Sequence, residues 1–249
     1  MTDHQAPTVH EVGAYFSQIY ATLAASPTHT RIGRTALGDG YVGQMGFAGL
    51  TEIRRVAELV GAVPGKQILD LCCGTAGVAA LVARKTGAAV VGVDCASHAL
   101  RLAHPHRHLL SGLVVADADR LPFANASFDG VISVDGFSYT FRSMAQEAAR
   151  VLRPGAILAM LVSVDMPTVR DFEGTLANAG FQEIRFVNVT AEGAALMRSW
   201  LAEYRREQQD HIREVGERYH LALVSEIEDL LAAFAHRRKM RAYVTAVRP

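Results

Sequence analysis

Apolar residues at Val9, Val12, Phe16, Ile19 and Leu23 recur at helical spacing, which predicts an amphipathic first helix that Ser26-Pro27 ends. A glycine-rich stretch from Gly38 to Gly46 reads as a loop. A second helix then carries Leu50, Ile53, Ala57 and Val60 on one face and is closed by Gly61 and Pro64. From Lys66 the pattern changes to short apolar, β-branched runs at Gln67–Leu71, Ala88–Val93, Leu113–Ala116, Gly130–Val134 and Ile157–Val164. Helix-like windows near 76–85, 96–103, 142–151 and 168–179 separate or follow them, and Gly180 precedes a further strand at Glu183–Val189. Strands alternating with helices predict right-handed crossovers and a mostly parallel, doubly wound sheet.

Residues 191–237 interrupt that alternation. Met197, Trp200, Leu201, Tyr204, Ile212 and Val215 share one helical face, and a further helix with Ile227, Leu230, Leu231 and Phe234 is expected to open at a capping box, Ser225-x-x-Glu228. Strand character returns at Met240–Val247. The expected fold is therefore α/β: a Rossmann-like, doubly wound, mostly parallel seven-stranded sheet with N-terminal helices and a helical lid inserted before the last strand. The expected organisation is one structural domain: an N-terminal helical cap (1–62), a cofactor-binding core (63–190), the helical lid (191–237) and the final core strand (238–249).

Composition narrows the function classes. The 249 residues are 50% hydrophobic and 20% charged, which excludes disorder. Twenty-five basic residues balance twenty-five acidic ones, so no net field draws the chain to nucleic acid or an anionic membrane surface. No run approaches the roughly 20 apolar residues of a membrane span. Met1–His10 has neither a basic nor an apolar signal region, and the three cysteines suit a reducing compartment, so a cytoplasmic protein is expected.

The chemistry concentrates at Ile68-Leu69-Asp70-Leu71-Cys72-Cys73-Gly74-Thr75-Ala76-Gly77, where a strand runs through small residues into a helix. Small residues let a ligand approach the backbone, and the helix N-terminus offers free N–H groups. The next strand ends at Val91-Gly92-Val93-Asp94, and a carboxylate there suits a ribose diol. Such a turn also begins nicotinamide dinucleotide sites, or serves packing alone.

Further segments follow in order: Asp117-Ala118-Asp119-Arg120-Leu121-Pro122-Phe123, then Ser127-Phe128-Asp129, then Glu147-Ala148-Ala149-Arg150-Val151-Leu152-Arg153-Pro154-Gly155, then Ala179-Gly180-Phe181. With this ordered set the chain resembles the class I S-adenosylmethionine-dependent methyltransferases. It is most like their small-molecule branch, which includes ubiquinone/menaquinone-type, geranyl diphosphate and natural-product C-, N- and O-methyltransferases. The resemblance spans about residues 40–190 and the last strand. It implies S-adenosyl-L-methionine as cofactor, with Asp70, Cys72, Cys73, Gly74 and Gly77 facing its methionine part. Asp94 would hold the ribose hydroxyls, Cys95 would lie beside the adenine, and Asp117 with the Ala118 N–H would meet the ring. Val134 and Asp135 would border the sulfonium and the substrate, and Tyr20 or Gln44 would reach the methionyl carboxylate. The family turn usually reads Asp-x-Gly-x-Gly-x-Gly, whereas Cys72 and Ala76 replace its outer glycines here, which predicts a cramped turn.

Other residues keep two readings open. Asp94 also suits a helix N-cap and Asp117 an ordinary turn. Tyr139, after the fourth strand, can orient or deprotonate an acceptor hydroxyl or simply face solvent. His211, on an apolar helix face with Tyr204, is a candidate base or a core histidine. His104-Pro105-His106-Arg107-His108 invites a metal reading, but Pro105 breaks the helical ligand pair and a surface loop is expected, with no metal. The expected activity is methyl transfer to a small, partly apolar acceptor in secondary metabolism, with no nucleic-acid or membrane partner and a homodimer allowed. A nicotinamide-dependent oxidoreductase and a cofactor-holding scaffold or cyclase on the same fold are the rival readings.

Overall fold

The computed structural model describes residues 8–136 and 141–249. Seven strands form one sheet: β1 (Gln67–Leu71), β2 (Ala89–Asp94), β3 (Gly112–Val115), β4 (Phe128–Val134), β5 (Leu152–Asp165), β6 (Gln182–Asn188) and β7 (Lys239–Val247). Their order is β3-β2-β1-β4-β5-β7-β6. The pairs from β3 through β5 are parallel, and β7 runs antiparallel to both β5 and β6. Parallel strands covered on both faces need apolar side chains on both, which is why β1 and β2 read as continuous apolar runs. Alternate residues divide between two cores. Ile68, Val90 and Ile132 pack under helices on one face, and Leu69, Val91 and Val131 under helices on the other.

The N-terminal region supplies α1 (Val9–Ala24), α2 (Pro27–Leu37) and α3 (Leu50–Leu59). Ser26-Pro27, expected only to end the first helix, opens α2. The Ser26 hydroxyl accepts from the His29 N–H at 2.9 Å, and Pro27 takes the first helical position, where its missing N–H costs nothing. On the sheet follow α4 (Gly77–Thr86), α5 (Ser97–Leu102), α6 (Phe141–Val151) and α7 (Val169–Asn178). Between β6 and β7 the chain inserts α8 (Thr190–Arg206), α9 (Gln208–Val215) and α10 (Glu217–Ala235). The capping box expected at Ser225 is not a helix start: α10 begins eight residues earlier, after Gly216, whose φ of 87° only glycine adopts without strain. Two further boundaries move. β5 begins at Leu152, ahead of Pro154-Gly155, and the histidine run forms a 3-10 turn with no buried residue. Among the described residues, no group of histidines, cysteines and carboxylates is arranged to hold a metal ion, and no helix is long and apolar enough to cross a membrane.

The inserted helices close a third core, in which Trp200, Tyr204, Ile227 and Phe234 pack with Ile32 of α2. Polar groups join the same elements. Glu214 of α9 accepts from the Ser26 hydroxyl at 2.5 Å and from the Thr28 N–H and hydroxyl at 2.9 and 2.6 Å. It thereby caps the positive end of α2. Against its own desolvation, these bonds hold the Glu214 carboxyl down at about 2.

Three histidines fill the centre of this packing. His29 meets the Tyr204 hydroxyl at 3.0 Å, and His211 and His220 share a 3.1 Å Nδ1–Nδ1 contact. Burial lowers His29 to about 3 and His211 to about 4, and lowers His220 as well, so all are neutral at pH 7. In the unfolded chain each takes a proton near its ordinary value of about 6.5. As pH falls below that value, the unfolded state gains protons that the folded state resists, at His29 and His211 until about pH 4 or below. Stability is therefore lost on the acid side, beginning well above the carboxylate range. Thermal unfolding at pH 7.5 and pH 5.0 measures this loss, and His29→Asn is expected to shrink the difference between the two.

Candidate functional site

Parallel strands all present their carboxyl ends to one rim, and the rim beside β1, β2, β4 and β5 opens into a cavity of about 500 Å³. Asp70 and Asp94, closing β1 and β2, both line it. One Asp94 oxygen accepts from the Gly74 N–H at 2.8 Å and the other from the Ala96 N–H, also at 2.8 Å. Each carboxylate oxygen keeps a second lone pair, so Asp94 both fixes the turn and can still accept from a ligand diol. Burial raises its pKa, against the pull of these two N–H groups. Asp70 is more confined: one of its carboxylate oxygens has no hydrogen-bond partner although it is buried. Burial, with the Asp94 charge beside it, pushes Asp70 up to about 8.

The turn between these carboxylates is strained as its sequence implies. Cys72 and Ala76 hold φ of 59° and 58°, left-handed angles that cost a side-chain-bearing residue about 1–2 kcal/mol each. Gly74 shares that conformation at 55°, and a Cβ there would stand 2.2 Å from the Tyr20 hydroxyl. A Cβ on Gly77 would strike the Val42 carbonyl oxygen at 1.9 Å. The glycines thus admit the chain's own N-terminal cap: Tyr20 of α1 and the 41–46 loop close over the turn. Gly74→Ala is expected to cost about 2 kcal/mol, from the left-handed angle and overpacking together. Urea unfolding checks this, and Tyr20→Phe in the same chain, which removes the clashing oxygen, recovers part of the loss.

The other side chains divide by position. Cys72, Cys73, Cys95, Val134, Tyr20, Gln44 and Asp135 line the cavity. Gly74 and Gly77 lie beneath the N-terminal cap, and Asp117 and Ala118 stand outside the lining, Asp117 accepting from the Asp119 N–H at 2.9 Å. The Gln44 amide is spent on its own loop: its nitrogen donates to the Gly40 and Ala48 carbonyls at 2.9 Å each, and its oxygen accepts from the Val42 N–H at 2.7 Å. Burial raises the Cys72 and Cys73 thiols and takes Cys95 to about 11, so none is a thiolate at neutral pH. Tyr20, desolvated and beside Asp94, is likewise held as a neutral hydroxyl. His211 belongs to the histidine core and is not in the cavity wall. Tyr139 lies outside the described residues.

Asp135 is the residue whose surroundings were least visible in the sequence. It sits just past β4 at φ 52° and is held by Arg241 of β7 through two bonds of 2.7 and 3.1 Å. It also accepts from the Phe47 N–H at 2.9 Å. Arg241 is fully buried and bonds Glu52 of α3 through Nε at 3.2 Å. Glu52 in turn accepts from the Gly49 N–H at 3.0 Å at the start of α3. With both carboxylate oxygens engaged, Asp135 anchors three elements at the cavity floor. The one visible signal was a charged residue inside the apolar run 240–247.

The cavity also has an extensive apolar lining. Phe141 stacks on Phe172 with ring centroids 4.1 Å apart, and Met144, Met160, Val162 and Leu230 complete that part of the wall. Acidic groups at the strand ends and an extensive apolar lining in one cavity suit a polar ligand placed against an apolar one.

A family described as "Methyltransferase domain" matches residues 68–155. The chain is 33% identical over 174 residues to a demethylmenaquinone methyltransferase of Corynebacterium efficiens, covering 66% of this chain and 71% of that one. It is 34% identical over 133 residues to a probable phthiotriol/phenolphthiotriol dimycocerosates methyltransferase 2 of Mycobacterium ulcerans, a match that spans 51% of each chain. Among solved structures, the [4+2]-cyclase SpnF superposes with a TM-score of 0.78 at 21% identity, covering 98% of both chains. The nicotinamide reading of the glycine turn falls with these matches: the chain belongs to the class I S-adenosylmethionine-dependent methyltransferases, in their small-molecule branch.

Proposed function

We propose that the protein binds S-adenosylmethionine at the Asp70–Asp94 rim and transfers its methyl group to a small, partly apolar organic acceptor in natural-product biosynthesis. The observation that carries the reading is the buried, unpartnered Asp70 oxygen beside Asp94 on the cavity wall, since an orphaned carboxylate oxygen calls for a donor from a ligand. The residues fit the cofactor. Asp94 has lone pairs left for the ribose hydroxyls, an ammonium group beside Asp70 would favour its ionised form and pair with it, and the Tyr20 hydroxyl stands over the turn as a donor. When bound, the cofactor supplies a methyl group already activated on a sulfonium.

The chain's own part is then positioning and exclusion of water. Phe141, Phe172 and the aliphatic wall hold the acceptor, and α8–α10 with α1 act as the lid. Asp135 keeps the floor rigid through Arg241, so no general base is assigned to it. A second reading, a scaffold that holds the cofactor while guiding a ring closure, is supported by the likeness to the [4+2]-cyclase SpnF over nearly the whole of both chains.

Calorimetric titration with S-adenosylhomocysteine tests the shared step, and absence of binding refutes both readings. Incubating metabolite extracts with trideuteromethyl-labelled cofactor separates them. Methyl transfer gives a labelled product, whereas a scaffold gives a product of unchanged mass.

A further inference from the structure

We propose that Glu226 selects the acceptor: the cavity takes a largely apolar molecule that carries a protonated amine, and Glu226 pairs with that amine. This rests on the methyl-transfer reading for the purpose of the cavity and goes beyond it in naming the acceptor's chemical class. Leu223, Glu226 and Leu230 follow one another at spacings of three and four along α10, so they share one face, and all three line the cavity. A carboxylate therefore stands between two aliphatic side chains on the wall of the cavity that Phe141 and Phe172 also line.

The cations that reach the cavity are already taken. Arg241 is bound to Asp135 and Glu52, and Lys239 is paired with Asp165 at 2.9 Å. Among the described residues, Glu226 has neither an ion-pair nor a hydrogen-bond partner. With Asp135 and Asp165 paired to the two cations, Glu226 is a lining carboxylate left to be neutralised by the ligand, which disfavours an anionic acceptor. Closure around an acceptor would desolvate this charge, and a desolvated charge is costly unless paired. An ammonium group supplies the pair.

Octylamine, 1-octanol and octanoate share one chain length and differ only in head-group charge, so they serve as probes. Calorimetric titration of each, with and without saturating S-adenosylhomocysteine, is expected to show octylamine binding at least about tenfold more tightly than octanol, with octanoate weakest. Glu226→Gln is expected to bring octylamine to the affinity of octanol, with the fold checked by unchanged affinity for S-adenosylhomocysteine. Equal binding of amine and alcohol, tightest binding of octanoate, binding of none of the three, or an amine preference that survives Glu226→Gln would each overturn the proposal. A wild type that prefers the amine but ignores S-adenosylhomocysteine would instead refute the methyl-transfer reading, so the two failures are distinguishable.

Discussion

Arg241→Ala is expected to lower the free energy of unfolding by about 3–5 kcal/mol, the usual cost of removing one partner from a buried ion pair. The guanidinium is fully buried and answers two carboxylates, Asp135 and Glu52. Its loss leaves the buried Glu52 and the half-buried Asp135 without their cation. Burial already raises the Glu52 pKa, and Arg241 is the main group opposing that rise. In a chain of this size the loss corresponds to a fall in Tm of roughly 10 °C. Arg241→Lys is not expected to rescue it, because a point charge cannot reproduce the forked contact with Asp135. The combined variant Glu52→Gln, Asp135→Asn, Arg241→Met removes all three charges and is expected to regain much of the loss. Urea and thermal unfolding followed by circular dichroism measure these changes. An Arg241→Ala protein within 1 kcal/mol of wild type would mean that the three charges are solvated and do not hold the floor.

Asp94→Ala is expected to weaken binding of S-adenosylhomocysteine by about 100-fold or more. A hydrogen bond to a charged acceptor contributes about 1.5–3 kcal/mol, and a ribose diol offers two. The same substitution frees the Gly74 and Ala96 N–H groups, so some stability is lost as well. Calorimetry on the folded variant, with its Tm measured in parallel, separates the two effects. The proposed ligand contact requires an affinity loss that remains at temperatures where the variant is fully folded. Unchanged affinity would reduce Asp94 to a turn-forming residue.

The sheet was legible because its central parallel strands β1, β2 and β4 are buried on both faces and so read as largely apolar runs. Asp70 and Asp94 were legible as carboxylates ending two such runs. What escaped the sequence depends on contacts between distant segments. Helix α2 has little apolar content, and its start is marked only by Ser26-Pro27 and secured by Glu214, almost 190 residues away. The partnership of Glu52, Asp135 and Arg241 joins three segments that no local spacing relates. Gln44 offered a ligand-binding amide in sequence, yet the loop it belongs to consumes that amide. The motifs that carried the family resemblance do structural work of their own. Arg150 bonds the Leu121 and Phe123 carbonyls at 3.0 and 2.7 Å, while Glu147 accepts from the Leu121 N–H at 2.6 Å. That clamp explains why the Leu-Pro-Phe and Glu-x-x-Arg segments occur together without either lining the cavity.

The three inserted helices leave the sheet after Asn188 and return at Lys239, and Asn188 stands directly opposite Ala242 on the neighbouring antiparallel strand. Facing residues of such strands lie only about 5 Å apart. An exchange of residues 190–238 between relatives would therefore join at two adjacent points and leave the carboxylate-bearing strand ends untouched. Such chimeras offer a direct route to re-engineering acceptor choice one cassette at a time, provided the incoming segment keeps a small residue where Gly193 makes room for the Arg241 side chain.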